Sequence, residues 1–314
     1  MKLTLKNDNF RIMQLTDLHF KVWQEGHPSL AFDYETVRLV EQLIQHAQPD
    51  LLVISGDLVD SPYIEDPFAT QAHIIGWLNS LNIPVLVTYG NHDSECRTSR
   101  QRLNEGLASL NLQIEKENLT VLNDRVNFTV PIYGLNNQVV CQLYILDSGD
   151  YLSQFRLGEG QFDFSTQVEG QSIYAAISDE QNQWLEQIGQ VNQAAGVRHD
   201  IMFCHIPLPE YKQVPMPFLE GVMEEGVCSA DENSGTFATI QQATQIKFIS
   251  VGHDHDNNFH GVYQGLHLCY GQPSGYGSYG KLPRGARIFD IHESGQVTTW
   301  LIDSTNLTKS EVRE

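Results

Sequence analysis

The chain has 314 residues, with 19 Lys and Arg against 39 Asp and Glu and a net charge of −20. That length is ample for a sizeable core, and without a Pro/Gly/Ser linker, low-complexity tract or repeat the expectation is one domain over residues 1–314. So acidic a surface repels polyanions, which excludes long nucleic acid and anionic membrane as partners.

The N-terminal residues Met1 to Lys6 alternate like an edge strand and contain no apolar signal core. No segment is long enough to span a bilayer. The five cysteines (Cys96, Cys141, Cys204, Cys228 and Cys269) are scattered, odd in number and show no CxxC. That excludes a disulfide framework and a zinc ribbon, and Cys204 and Cys269 read as buried thiols. The expectation is a soluble, cytoplasmic protein. Nothing in the sequence speaks to its oligomeric state.

Arg11 to Thr16 form a short apolar run that ends at Asp17. A helix follows around Tyr34 to His46, with Val37, Val40, Leu43 and Ile44 on one face. Leu51 to Ser55 is a continuous apolar strand of the parallel, buried type, ending at Gly56-Asp57. Phe68 to Leu81 predicts a second helix, with Ile74, Ile75 and Leu78 turned inward. The run Ile83 to Tyr89 then delivers Gly90-Asn91-His92-Asp93. This is β-α-β-α-β with polar residues at the carboxyl ends of the strands, where open α/β sheets place their sites.

The middle of the chain is less regular. Gln113 to Val130 reads as a helix end and two short strands, and Val139 to Leu146 as a strand. Ser178 and Gln181 have the spacing of a capping box and open a helix to about Gln193. Asp200 to Cys204 is another buried strand, ending at His205. Residues 206–234 are rich in Pro and Gly and carry Glu224, Glu225, Asp231 and Glu232. A loop this long, leaving from a candidate ligand, reads as a lid or a substrate-selecting loop near the active site. A short helix near Thr236 to Gln242 and the strand Ile246 to Val251 lead to Gly252-His253-Asp254-His255. The rest reads as β: Asn258 to Tyr263, Leu266 to Tyr270, Gly285 to Ile291 and Val297 to Ile302. The whole pattern predicts two packed mixed sheets with helices outside.

Five strand ends thus carry Asp17-x-His19, Asp57, Asn91, His205 and His253-x-His255. Singly, each has an ordinary structural reading: a turn, a strand ending, a satisfied histidine. Jointly they form a seven-ligand set for two metal ions. Alternation along an extended chain would place Asp17 and His19 on one side, and His253 and His255 likewise. Mixed Asp, His and Asn donors suit Mn, Fe or Zn. Two ions about 3.5–4 Å apart call for a carboxylate between them, and Asp57 is the natural bridge. Asp17, His19, Asp57 and His255 are assigned to the first ion, and Asp57, Asn91, His205 and His253 to the second.

These blocks, with Gly90-Asn91-His92-Asp93 among them, resemble the five signature blocks of calcineurin-like metallophosphoesterases. Leu146 to Tyr151, His205 to Tyr211 and Gly275 to Gly280 resemble a subgroup that includes purple-acid-phosphatase-like proteins of plants and a yeast cell-cycle phosphatase. The resemblance implies a four-layer αββα sandwich and a dinuclear hydrolase. True purple acid phosphatases place a metal-ligating Tyr three residues after the Gly-Asp aspartate. Here that position is Asp60, so no purple band is expected, and Mn(II) or a mixed Fe/Mn or Fe/Zn centre becomes the expectation. Such proteins have been labelled inactive on the missing tyrosine, yet all seven ligand positions are filled here.

The reaction expected is hydrolysis of a phosphate ester by a metal-bridging hydroxide, with His92 protonating the leaving alkoxide. The resemblance to phosphoprotein phosphatases suggests Asp60 as the partner that orients His92; its alternative is a turn residue before Ser61-Pro62. Arg97 and Arg100 could touch substrate, although arginines so placed more often form a solvated helix face. Tyr276 and Tyr279 are expected to line the cleft. Three functions compete: a monoesterase on a small metabolite or a phosphoprotein, a phosphodiesterase on cyclic nucleotides or other diesters, and a non-catalytic metal-bound scaffold. The acidic stretch 222–232 leans toward small or protein-borne monoesters.

Overall fold

The computed structural model describes residues 1–21, 30–60, 64, 66–95, 98–192, 198–305 and 307. Cys96, Arg97, Ser61 and Pro62, singled out above, lie outside these residues.

One sheet contains β2 (Asn9–Leu15), β3 (Leu51–Ser55), β4 (Val85–Thr88), β14 (Gly285–His292) and β15 (Val297–Asp303), in the order β15-β14-β2-β3-β4. β2, β3 and β4 run parallel, and β14 lies antiparallel to β2. The second sheet is built on β6 (Arg125–Tyr133), β7 (Val139–Ile145), β10 (Asp200–Phe203), β11 (Ile246–Val251), β13 (Leu266–Tyr270) and β12 (His260–Tyr263). β1 (Leu3–Thr4) and β5 (Glu117–Leu122) both pair with β6 at its outer edge. β7, β10, β11 and β13 are mutually parallel. A small hairpin, β8 (Arg156–Gly158) with β9 (Gln161–Phe162), stands apart.

Alternation along the strands sorts their side chains into layers. Ile12, Leu51 and Val53 meet Phe128, Leu143, Phe203 and Phe248 between the sheets. Their neighbours Met13, Leu52 and Ile54 face outward and pack on Leu39, Val40 and Leu43 of α1 (Leu30–Ala47) and on Ile74 and Leu78 of α2 (Pro67–Ser80). On the far side, Tyr144, Met202 and Ile249 pack on Trp184 and Leu185 of α4 (Asp179–Asn192) and Ile240 of α5 (Thr236–Ala243). The result is the αββα sandwich expected.

Local chemistry explains the helix starts. Asp66 caps α2, accepting from the Phe68 and Ala69 amides with Pro67 at the first helical position. Ser178 and Gln181 make the reciprocal capping-box bonds at α4. α3 (Arg100–Gly106) is short. The expected helix end near Gln113 is absent among the described residues, where a 3-10 turn stops at Ser109, and the strands after it are longer than the sequence suggested. Segment 206–234 is pinned across the molecule: Glu220 and Met223 bridge to His260 and Asn257, and the Cys228 amide donates to Asp254.

Candidate metal centre

Six of the seven side chains gather where the two sheets come together at the carboxyl ends of β2, β3, β10 and β11, and Asn91 follows β4. Asp17, His19 and His255 form one tight cluster, and Asp57, His205 and His253 a second. His255 Nε2 lies 3.2 Å from Asp17 Oδ1 and 3.3 Å from His19 Nε2. Asp57 Oδ2 stands between the clusters, 3.6 Å from His19 Nε2 and 3.0 Å from His205 Nε2. It thus faces histidines of both clusters.

The backbone that achieves this is not the extended chain expected. Asp17, His19, Asp57 and His253 all have positive φ, +53°, +46°, +49° and +81°. Left-handed non-glycine residues are strained and concentrate at functional sites. Turns, not strand alternation, aim these side chains, which is how His253 and His255 come to face different clusters. Gly90 serves the close approach: a Cβ there would overlap Asp57 Oδ1 and the His205 ring.

Each side chain is held from behind. Asp93, to which the sequence reading gave no role, accepts from the amides of Asp57 (2.9 Å), Val59 (3.0 Å) and Gly90 (2.7 Å). Burial, and then the Asp57 charge, push its carboxyl up to about 7. The His92 amide donates to Asp57 Oδ1 at 2.9 Å, which leaves Oδ2 to face the histidines. His205 Nδ1 donates to Ser55 O at 3.0 Å and His255 Nδ1 to Tyr279 O at 3.1 Å. Such carbonyl contacts fix the tautomer and turn Nε2 toward the centre. Asn91 Nδ2 donates to Tyr151 OH at 2.9 Å.

The electrostatics are those of a cation site. Asp17 and Asp57 are buried and, among the described residues, pair with histidines and with no Lys or Arg. Burial opposes their ionisation, but the imidazoles of His255 and His205 hold both carboxyls below the usual range. In return His205 is pushed up to about 9 against burial, chiefly by Asp57, and His255 is raised beside Asp17. Burial lowers His19, and lowers His253 to about 3. Burial thus favours the neutral form of those two rings, the form a metal ligand takes. The donor set also fits a metal on a separate count: Asn91 Oδ1 is buried without a hydrogen-bond partner, and an orphaned buried carbonyl oxygen is a group that a cation would satisfy.

A cavity of about 350 Å³ opens over the clusters, lined by Lys21, Asp60, His92, Tyr174, Cys228 and Tyr279 among others. Tyr279 stacks on His255 with centroids 4.2 Å apart. Tyr174 sets its edge on His253 at 4.5 Å. Tyr276 packs against the helix-side core instead of lining this cavity.

Two readings of the sequence need correction. His92 Nδ1 pairs with Glu95 Oε2 at 2.6 Å, whereas Asp60 lies 3.8 Å from His19 Nδ1 and 3.3 Å from Lys21 Nζ. The 3-10 turn His92–Ser94 brings Glu95 back under the ring, and the i,i+3 spacing was the available signal. Burial raises the Asp60 carboxyl, with His92 and Lys21 opposing. Arg100 neither touches the cavity nor forms a solvated face: it is buried, binds Asp147 at 2.9 and 3.0 Å, and donates to the carbonyls of Gly90 and Gly149. A larger cleft of about 870 Å³ beyond Tyr151 holds none of the seven candidate ligands.

Residues 10–257 match the family described as calcineurin-like phosphoesterase. The chain is 30% identical over 297 residues to a protein of Arabidopsis thaliana named "Probable inactive purple acid phosphatase 29", covering 88% of this chain and 74% of that one. It is 27% identical to the phosphatase DCR2 of Saccharomyces cerevisiae, covering 93% of this chain and 53% of that one. Among solved structures, a dimetal phosphatase from Danio rerio superimposes with a TM-score of 0.61 at 12% identity, covering 93% of this chain and 99% of that one. No helix among the described residues is long and apolar enough to cross a membrane.

Proposed function

Because the chain belongs to the calcineurin-like phosphoesterase family, we propose that it is an active dinuclear hydrolase of phosphate monoesters, small or protein-borne. The observation that carries this is the pair of three-residue clusters, with Asp57 Oδ2 of the one within 3.6 Å of His19 of the other; the buried, unpartnered Asn91 Oδ1 supports it. Asp17, His19, Asp57 and His255 would hold one ion; Asp57, Asn91, His205 and His253 the other. The donor set favours Mn, Fe or Zn over Mg or Ca. When bound, the ions supply Lewis-acid polarisation of phosphoryl oxygens and acidify water.

The chain's own residues supply the rest. His92 lines the cavity and is the proposed acid for the leaving oxygen. Burial alone would lower it, but the Asp57 charge and the Glu95 bond push it up to about 10; cations at Asp57 would draw that value down toward neutrality. Tyr174 and Tyr279 wall the cavity. Lys21, held by Asp60, also lines the cavity and would offer its ammonium to a bound phosphate. Cys228 reaches the cavity from segment 206–234, which supports a substrate-selecting role for that loop. The four described cysteines are free thiols, which supports a reducing compartment such as the cytoplasm.

The test is hydrolysis of p-nitrophenyl phosphate and bis-p-nitrophenyl phosphate by metal-stripped protein, with Mn, Fe/Zn or Zn restored in turn. Monoester turnover is expected. Turnover of the diester alone would replace the proposal with a phosphodiesterase, and two bound ions with no turnover would replace it with a scaffold.

A further inference from the structure

We infer that Glu95 is a positioning residue that orients the Asn91 amide and the His92 imidazole together, through Tyr151. The inference rests on the reading that Asn91 is a ligand and His92 the acid. Glu95 follows the 3-10 turn His92–Ser94 and its side chain is only 10% exposed. Its Oε1 accepts from Tyr151 OH, and its Oε2 lies 2.6 Å from His92 Nδ1. Tyr151 OH in turn accepts from Asn91 Nδ2 at 2.9 Å.

The carboxylate sets the direction of this chain of bonds. An ionised carboxylate can only accept, so Tyr151 must donate its single proton to Glu95 and present a lone pair to Asn91. The Asn91 amide must then turn its NH₂ to Tyr151, and its oxygen is left for a cation. That oxygen is one of the buried side-chain atoms without a hydrogen-bond partner. At the other end, the same carboxylate accepts Nδ1–H of His92, which leaves Nε2 to serve the cavity that His92 lines. The Tyr151 ring is wedged in place. Phe162 and Phe164 meet it edge-on, each at 4.8 Å, and Tyr174 stacks on it at 5.7 Å. The segment around β8 and β9 thereby supports the Asn91 side of the centre.

Glu95→Gln tests this with no change of shape. A glutamine amide can donate to Tyr151, which allows the bond direction to reverse and the Asn91 oxygen to turn away. Two properties are read: Mn²⁺ affinity at each position by titration calorimetry, and the ratio of kcat/KM for p-nitrophenyl phosphate to that for an alkyl phosphate. Glu95→Gln is expected to weaken one of the two Mn²⁺ ions about 10- to 100-fold and to raise the leaving-group ratio as His92→Ala does. Tyr151→Phe, which removes one oxygen, is expected to weaken the same ion and leave the ratio alone. The inference is overturned if Glu95→Gln binds both ions as the wild type does, or changes only one of the two properties. If Glu95→Gln does not fold, wild-type Mn²⁺ affinity in Tyr151→Phe overturns it. If the wild type binds two Mn²⁺ and cleaves neither ester, the proposed function has failed, and the affinities alone then decide the role of Glu95.

Discussion

Arg100→Met should destabilise the protein by about 3–5 kcal/mol, the usual cost of breaking a buried ion pair from one side. The Arg100 and Asp147 side chains are only 5% and 2% exposed, so solvent screening gives little relief. The variant strands the Asp147 carboxylate and frees the carbonyls of Gly90 and Gly149. At roughly 2 °C per kcal/mol for a chain of this size, the melting temperature should fall about 6–10 °C. The loss has a pH signature. Burial already raises the Asp147 carboxyl even with Arg100 lowering it. Without the guanidinium it rises further, so the native state holds a proton that the unfolded state releases above its own carboxyl pKa. Stability then falls as pH rises above about 4, and the variant's deficit widens toward neutrality. Adding Asp147→Asn removes the stranded charge and should recover part of the deficit. Denaturant unfolding of metal-free wild type, the two single variants and the double variant between pH 4 and 8 reads all of this. A deficit within about 1 kcal/mol of zero at pH 7, or one independent of pH, would refute the reasoning.

Four further outcomes are expected. Chelation should lower the melting temperature, and Mn²⁺ at 100 times its Kd should restore about 2.7 kcal/mol per site in a thermal shift titration; no shift would count against both metal positions. His92→Ala should slow alkyl phosphates about 100- to 10,000-fold while affecting p-nitrophenyl phosphate less; equal losses on both would remove His92 as the acid. Gly90→Ala should cut turnover about 100-fold, because the methyl displaces Asp57 and His205; wild-type kinetics would show the loop to be more yielding than its packing. Burial holds His260 down to about 3, with Arg287 and His267 assisting, so the unfolded state takes up a proton there between about pH 6.5 and 3 and stability falls as pH drops through that window. His260→Gln should flatten that part of the pH–stability curve, and an unchanged slope would refute the assignment.

How much of this was legible in the sequence depends on range. β3, β4, β10 and β11 are buried in long apolar runs that end abruptly in polar residues, so both the strands and their convergence could be read. Arg100 could not, because its partner Asp147 lies 47 residues away and nothing local distinguishes a buried arginine from a solvated one. Tyr151 and Tyr174 escaped for the same reason: their significance lies in rings and ligands brought together by the fold. The left-handed turns at Asp17 and His19 were missed because neither residue is a glycine, and a pattern of alternation predicts the wrong backbone there. Glu95 lay within reach, since a polar residue three beyond His92 is a neighbour on any helical turn.

The arrangement also explains why the acidic surface and the candidate centre are compatible. Asp17, His19, Asp57 and Asn91 follow strands of one sheet; His205, His253 and His255 follow strands of the other. Each proposed ion therefore takes ligands from both sheets and would tie them together at one end. Without ions, Asp17 and Asp57 have His255 and His205 as their neighbours for counter-charge, and each carboxylate raises its histidine's affinity for a proton. The balance is local and buried, so the −20 of the whole chain weighs little on it: at physiological salt, exposed charges more than about 8 Å away are largely screened. The surface charge acts on which substrates approach, and the buried histidines and carboxylates on what is held once they arrive.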